Sequence, residues 1–187
     1  MARPSLVIVL VEDKRQQQLL FRYLRRIGLE THAMRFLLPS SGSGEHWVRE
    51  QLPKELREYR RRSARAETKL IAVIDADKST VQDRLAQLDR KLQEDGVDLI
   101  RVDTEQVARL VPKRNIETWI LCLHGIAVGE RDEDDYKRTR NDWGDLIQPS
   151  ANTLCAWSHP DTQIPEHCIP SLRHGVGELR RLDFSDV

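Results

Sequence analysis

Leu70-Ile-Ala-Val-Ile-Asp-Ala-Asp77 is the stretch that decides the fold, because an apolar run leads directly into two acidic residues. Short runs rich in β-branched residues are typical of strands that are covered on both faces. Such strands occur mainly in parallel sheets, where helical crossovers supply the cover. The stretch therefore predicts a central parallel strand with Asp75 and Asp77 at its carboxyl end.

The residues around this strand predict an alternation of strands and helices. Further strands are predicted at Leu6–Val11, within Glu30–Leu37 and at Asp98–Val102. Helices are predicted at about 15–27, 46–62 and 80–95, in a short segment from Thr104, and at Asn115–His124. This order predicts an α/β fold of Rossmann-like type, with a mostly parallel central sheet, helices on both faces and all strand carboxyl ends at one edge.

The chain beyond residue 125 shows a weaker pattern. We expect residues 1–125 to form the α/β core and residues 126–187 to form a C-terminal helical, partly irregular extension packed on it. Residues 148–170 are expected to be irregular, and a helix is predicted at Pro170–Leu182.

Composition limits the class of protein. No apolar run among the 187 residues approaches the roughly 20 that a membrane helix needs. The three cysteines, Cys122, Cys155 and Cys168, are too few for a disulfide framework. We therefore expect a cytoplasmic protein without a membrane partner.

Three acids come at the ends of predicted strands. Glu12 follows the first strand, and Asp75 and Asp77 follow the third. Ligand sites of parallel sheets lie at this edge, and clustered carboxylates suit Mg²⁺ or Mn²⁺. The alternative is that Asp75 and Asp77 only stabilise the start of the following helix through its dipole.

These motifs resemble the TOPRIM domain of topoisomerases, bacterial primases and OLD-family nucleases, and in particular its small stand-alone members from bacterial defence loci. The resemblance rests on Leu10-Val-Glu-Asp13 and Ile71-Ala-Val-Ile-Asp-Ala-Asp77. It implies that Glu12, Asp75 and Asp77 hold Mg²⁺ and act in catalysis. Many family members have glycine after the glutamate, whereas this chain has Asp13.

The segment Pro112-Lys-Arg-Asn-Ile-Glu-Thr-Trp119 resembles an element of the OLD-like members, which implies that Glu117 is a further metal ligand. Lys113 and Arg114 at a predicted helix start favour anion binding, and we expect them to be catalytic cations on a phosphate. The alternative is a surface helix with a buried Trp119.

Positive charge is concentrated in the first part of the chain. Residues 1–70 carry 15 Lys/Arg and 8 Asp/Glu, whereas residues 71–187 carry 15 and 22. The proposed nucleic-acid-binding residues are Arg57, Arg60, Arg61, Arg62, Arg65 and Lys78, since arginine forks match phosphate. A solvated helix face is the open alternative.

The sequence thus favours a Mg²⁺-dependent nuclease acting on DNA or RNA in bacterial defence, with a homodimer left open. One alternative is a non-catalytic subunit that regulates a separately encoded ATPase. The other is a receiver-type signalling domain, although Asp75 lies about twenty residues later than receivers place their phosphoacceptor.

Overall fold

Four parallel strands form one sheet in the order β2-β1-β3-β4. They are β1 (Leu6–Leu10), β2 (Met34–Leu37), β3 (Thr68–Val73) and β4 (Val107–Leu110). The structure is a computed structural model and describes residues 4–184. β3 is buried along its whole length, as its β-branched sequence predicts. The predicted parallel sheet is confirmed.

Within the residues that the structure describes, six α-helices cover the two faces of this sheet. They are α1 (Lys14–Arg26), α2 (Gly44–Ser63), α3 (Val81–Glu94), α4 (Ile116–Leu123), α5 (Gly144–Ser158) and α6 (Pro170–Arg181). Side chains of α2 and α3 pack with Ile8, Leu70 and Ala72 on one face. The other four helices pack with Val7, Val9 and Ile71 on the opposite face. Because neighbouring strand residues point to opposite faces, the continuous apolar strands supply both cores.

The prediction of the fourth strand was wrong. Residues 98–102 have no strand structure, and the side chains of Leu99 and Val102 are 42% and 47% exposed. The strand is instead β4, within the segment where a short helix was predicted. Val107 and Leu110 pair with Leu70 and Val73 of β3, and this pairing decides the conformation.

The prediction of irregular structure at 148–170 was wrong for residues 148–158, because α5 continues to Ser158, and is confirmed for residues 159–169, which are neither helix nor strand. Pro149 lies inside the helix, but Leu146, Ile147 and Leu154 are buried at helical spacing. Packing of this apolar face against α1 and α4 outweighs the local cost of proline. The helix at Pro170 is confirmed, and the domain boundary at residue 125 stays a prediction. In the described part of the chain, no helix combines the length and the apolar character needed to span a membrane.

Gly175 on α6 allows the close approach of a core tryptophan. A methyl group there would lie 2.2 Å from the Trp119 ring, whereas one at Gly177 on the same helix would meet nothing within 4 Å. We expect Gly175→Ala to lower the free energy of unfolding by about 1–3 kcal/mol through overpacking. Gly177→Ala is the matched control and is expected to raise it by up to about 1 kcal/mol. Urea unfolding measures both, and equal effects would contradict the packing at Gly175.

Candidate active site

Glu12 and Asp75 meet at the carboxyl edge of the sheet. The backbone N–H of Asp75 donates to Oε1 of Glu12 at 2.6 Å. Gln16 connects the two acids, because its Nε2 donates to Asp75 Oδ1 at 2.9 Å and its Oε1 accepts from the Glu12 N–H at 2.8 Å. Two acids that are 63 residues apart in sequence therefore belong to one hydrogen-bonded group.

The position of Glu12 depends on its neighbours in the fold. It follows β1 directly, and Asp13 caps α1 by accepting from the N–H groups of Arg15 and Gln16. α2 begins against Glu12, and a Cβ on Gly44 would lie 2.6 Å from the Glu12 Cβ. Gly44 therefore permits the contact between the start of α2 and the acid.

Burial makes both carboxylates costly to ionise. Burial, followed by the charges of Asp77 and Asp13, raises the pKa of Glu12 from 4.5 to about 7, against the opposing hydrogen bond from Asp75. Burial, followed by the charge of Glu12, raises the pKa of Asp75 well above its usual 3.8, and Lys137 partly opposes this shift. Asp75 is only 4% exposed. Ionising the pair would thus create negative charge that the nearby protein groups do not fully compensate.

These shifts predict a dependence of stability on pH. A carboxyl group with a raised folded pKa favours the folded state fully below its unfolded value, and this contribution is lost as pH rises through the folded value. Without divalent cations, the free energy of unfolding should fall between pH 4.5 and pH 8 by up to about 3 kcal/mol from Glu12. Urea unfolding of Glu12→Gln should show a smaller fall. The exposed Glu166→Gln is the control, and a wild-type slope in Glu12→Gln would contradict the prediction.

Asp77 lies beside this pair on a strained turn. Asp77 and Arg114 have φ angles of 51° and 73° and form an isolated antiparallel bridge with each other. Left-handed backbone in residues other than glycine is costly and is concentrated at functional sites. Arg114 also donates from Nη1 to the Asp77 carbonyl at 3.2 Å and from Nε to the Asp134 carbonyl at 3.0 Å. The Asp77 side chain is 66% exposed and can approach a ligand from solvent.

The cations predicted for phosphate contact have different surroundings. The Lys113 side chain is 14% exposed, donates to the carbonyl oxygens of Ser79 and Lys78 at 2.9 and 3.4 Å, and pairs with Asp132 at 3.5 Å. Arg114 is bound to Asp77 and Asp134 as described above, so both side chains hold the turn that carries Asp77. Lys78 is exposed at the same edge. In residues 4–184, the side chain of Lys78 has no hydrogen bond or ion pair, although its carbonyl accepts from Lys113.

Glu117 is buried at the start of α4 and is 1% exposed. Its Oε1 forms an ion pair with Arg15 of α1, and its buried Oε2 has no partner. Asn115 caps α4 by accepting from the Thr118 N–H. Trp119 is fully buried and donates from Nε1 to Ser171 Oγ at 2.7 Å. Glu117 therefore contacts Arg15 through one oxygen, and its other oxygen has no hydrogen-bond partner within residues 4–184.

Sequence reasoning missed Arg84, which lies at this site. The Arg84 guanidinium is 7% exposed, pairs with Glu45 at the start of α2 and lies 3.8 Å from Asp77 Oδ2. Its charge lowers the pKa of Glu12, and its Nε has no partner. Gln16 and Arg15 were also missed. The spacing of Gln16 four residues after Glu12 was a usable signal, whereas nothing in the sequence placed Arg84 near acids from other elements.

The fit of the site to a divalent cation is partial. Within residues 4–184, no three His, Cys, Asp or Glu side chains are grouped so that they could hold a metal ion. Glu12 and Asp75, with the Gln16 amide, supply hard oxygen ligands from two buried acids, which suits Mg²⁺. Asp77 would have to turn toward them, and its exposure allows this. Glu12 and Asp75, which follow β1 and β3, therefore suit Mg²⁺. The four predicted ligands, however, do not form one complete metal-binding group within the described residues.

The predicted arginines lie at the opposite edge of the sheet. Arg61, Arg62 and Arg65 line a cleft of about 450 Å³ with Ser5 and Thr68, near the amino ends of β1 and β3. Arg60 is bound to Glu105 Oε1 at 2.6 Å and to the Leu99 carbonyl, and Arg57 donates to the Asp95 carbonyl. The arginines and the acids thus form two separate regions at the ends of α2.

No model of a known protein family, no curated protein and no solved structure matches this chain. The resemblance to TOPRIM domains therefore stays a resemblance of short motifs.

Proposed function

We propose that the protein is a Mg²⁺-dependent nuclease that cleaves phosphodiester bonds at the edge formed by Glu12, Asp75 and Asp77. The observation that supports this most directly is the pairing of two buried acids with raised pKa values. Carboxylates in this state are unfavourable without a cation and become favourable when one is bound. Structural acids are normally paired with a base, whereas neither Glu12 nor Asp75 forms an ion pair within residues 4–184. Arg84, whose charge lowers the pKa of Glu12, pairs with Glu45 and Asp77.

The residues of the site have separate roles in this proposal. Glu12 and Asp75 would hold Mg²⁺, and Gln16 connects them by donating to the Asp75 carboxylate and accepting from the Glu12 backbone N–H. Bound Mg²⁺ would lower the pKa of a water molecule and offset phosphate charge. Asp77 would complete the ligands from its exposed turn, with Glu117 as the proposed acid for a second ion. Lys78 would contact the phosphate, while Lys113 and Arg114 hold the Asp77 turn.

The resemblance also supports a role in bacterial defence and a cytoplasmic location. The cysteines agree with a reducing compartment, because Cys122, Cys155 and Cys168 are all free thiols. Asp75 is a poor candidate for a receiver phosphoacceptor, since only 4% of it is exposed to a phosphodonor.

The test is a cleavage assay with purified protein. Labelled single-stranded DNA, single-stranded RNA and duplex DNA are incubated with Mg²⁺, Mn²⁺ or EDTA. We expect cleavage of at least one substrate with either cation and none with EDTA. Cleavage that persists in EDTA would overturn the metal role. A protein inert on every substrate that copurifies with an ATPase would overturn the proposal in favour of a regulatory subunit.

A further inference from the structure

Helix α2 connects the acid edge of the sheet to the arginine cleft. Its first residue, Gly44, is in contact with Glu12. Its last turn and the residues after it supply Arg61, Arg62 and Arg65 to the cleft at the amino ends of the strands. The helix has 20 residues and is therefore about 30 Å long. The candidate active site and the arginine cleft are separated by roughly this length.

The exposed side of α2 is mainly positive. Residues 44–65 contain seven Lys/Arg and four Asp/Glu. Two of the acids bind cations of α3, since Glu45 pairs with Arg84 and Glu50 pairs with Lys91 at 2.9 Å. Glu55 is buried. Exposed positive side chains continue along the helix and past its end, namely Lys54, Arg57, Arg61, Arg62 and Arg65.

Two of these residues are available to an external anion. Lys54 lies midway along α2, and Arg65 lies two residues beyond its end. Neither has an ion pair with another residue of the described chain, whereas Arg61 and Arg62 share Glu58. Arg60 is excluded because Glu105 binds it. The positive charge is therefore open to solvent along α2, and it is most concentrated at the cleft.

We propose that α2 is a nucleic-acid track, along which the phosphate backbone of a substrate continues from the acid edge to the arginine cleft. This inference rests on the proposed function and specifies its substrate class as an extended polynucleotide. A duplex must have about nine base pairs or more to cover 30 Å, because its rise is about 3.4 Å per base pair. Tetranucleotides reach the acid edge without reaching the cleft.

The test compares two charge-removal variants. Lys54→Ala/Arg65→Ala removes two charges from the track, and Arg22→Ala/Arg26→Ala removes two exposed charges from α1 on the other face of the sheet. Fluorescence anisotropy in EDTA measures binding of labelled 20-nucleotide DNA, 20-nucleotide RNA, a 20-base-pair DNA duplex and a tetranucleotide. All substituted side chains are exposed, and thermal unfolding checks that both variants fold.

We expect the track variant to bind the 20-residue substrates at least about 10-fold more weakly and to reduce the slope of log K against log salt by about 1.4 for single strands. The substrate with the larger loss, DNA or RNA, identifies the polynucleotide that uses the track. The track variant should bind the tetranucleotide as tightly as wild type does. The α1 variant should bind all four nucleic acids as tightly as wild type does. The track proposal would be overturned if the track variant bound the 20-nucleotide and 20-base-pair substrates as tightly as wild type. It would also be overturned if the α1 variant lost as much affinity for them as the track variant.

Binding in EDTA separates this inference from the proposed function. If wild-type protein cleaves nothing with Mg²⁺ but the track variant loses binding, the nuclease proposal fails and the track stands. If cleavage occurs and the track variant cleaves the 20-residue substrate like wild type, the track fails and the nuclease stands.

Discussion

Asp75→Asn is expected to abolish Mg²⁺-dependent cleavage while making the metal-free protein more stable at pH 8. The variant removes a buried negative charge next to Glu12 and keeps an oxygen that can accept the Gln16 hydrogen bond. The folded state then no longer bears the cost of that charge. Mutation of a residue that hydrogen-bonds a metal ligand typically lowers metal affinity or activity by up to about 100-fold. Loss of the ligand itself should therefore reduce the cleavage rate by more than about 100-fold.

Cleavage assays and urea unfolding at pH 8 in EDTA test this pair of outcomes. The control is Asp103→Asn, which alters an exposed acid far from the acid edge and should change neither quantity. A gain in stability with full activity would show that Asp75 is dispensable for chemistry. A loss of both activity and stability would show that its carboxylate holds the fold together, which contradicts a metal-binding role.

The sheet could largely be predicted from sequence because two of its strands, β1 and β3, are distinctive. Both are short apolar runs followed by polar turns, a pattern that is typical of buried parallel strands. β4 could not be predicted, because Val107, Leu110 and Val111 have the spacing of a helix face. Its conformation is decided by hydrogen bonds to β3, which lies more than thirty residues earlier.

The candidate site was predictable only where topology sets the position. Glu12 and Asp75 follow neighbouring parallel strands, so the order of elements alone brings them to one edge. The partners of the other residues depend on side-chain packing. Arg84 meets Glu45 and Asp77 from a third element, and Lys113 reaches backbone carbonyls instead of solvent. The length of α2 separates the arginines from the acids. A run of arginines in the sequence does not show how far these residues lie from acids of other elements.

Removal of Arg15 is expected to destabilise the protein more than removal of both members of its ion pair. Arg15 is 29% exposed, whereas its partner Glu117 is 1% exposed and has a second oxygen without a partner. Arg15→Met leaves a buried carboxylate uncompensated and also removes a guanidinium 5.2 Å from the Trp143 ring centroid. We expect the free energy of unfolding to fall by about 2–4 kcal/mol. The fall is smaller than for a fully buried ion pair because Arg15 is partly solvated.

The double variant Arg15→Met/Glu117→Met separates the two roles of Glu117. Without the buried charge, most of the lost stability should return, because apolar side chains can replace a buried ion pair at little cost. Urea unfolding of the wild type, both single variants and the double variant completes the cycle. Additive losses would show that Arg15 and Glu117 do not depend on each other. If the double variant regains stability but still cleaves nucleic acid at the wild-type rate, Glu117 is a structural acid and the second metal has no ligand on α4.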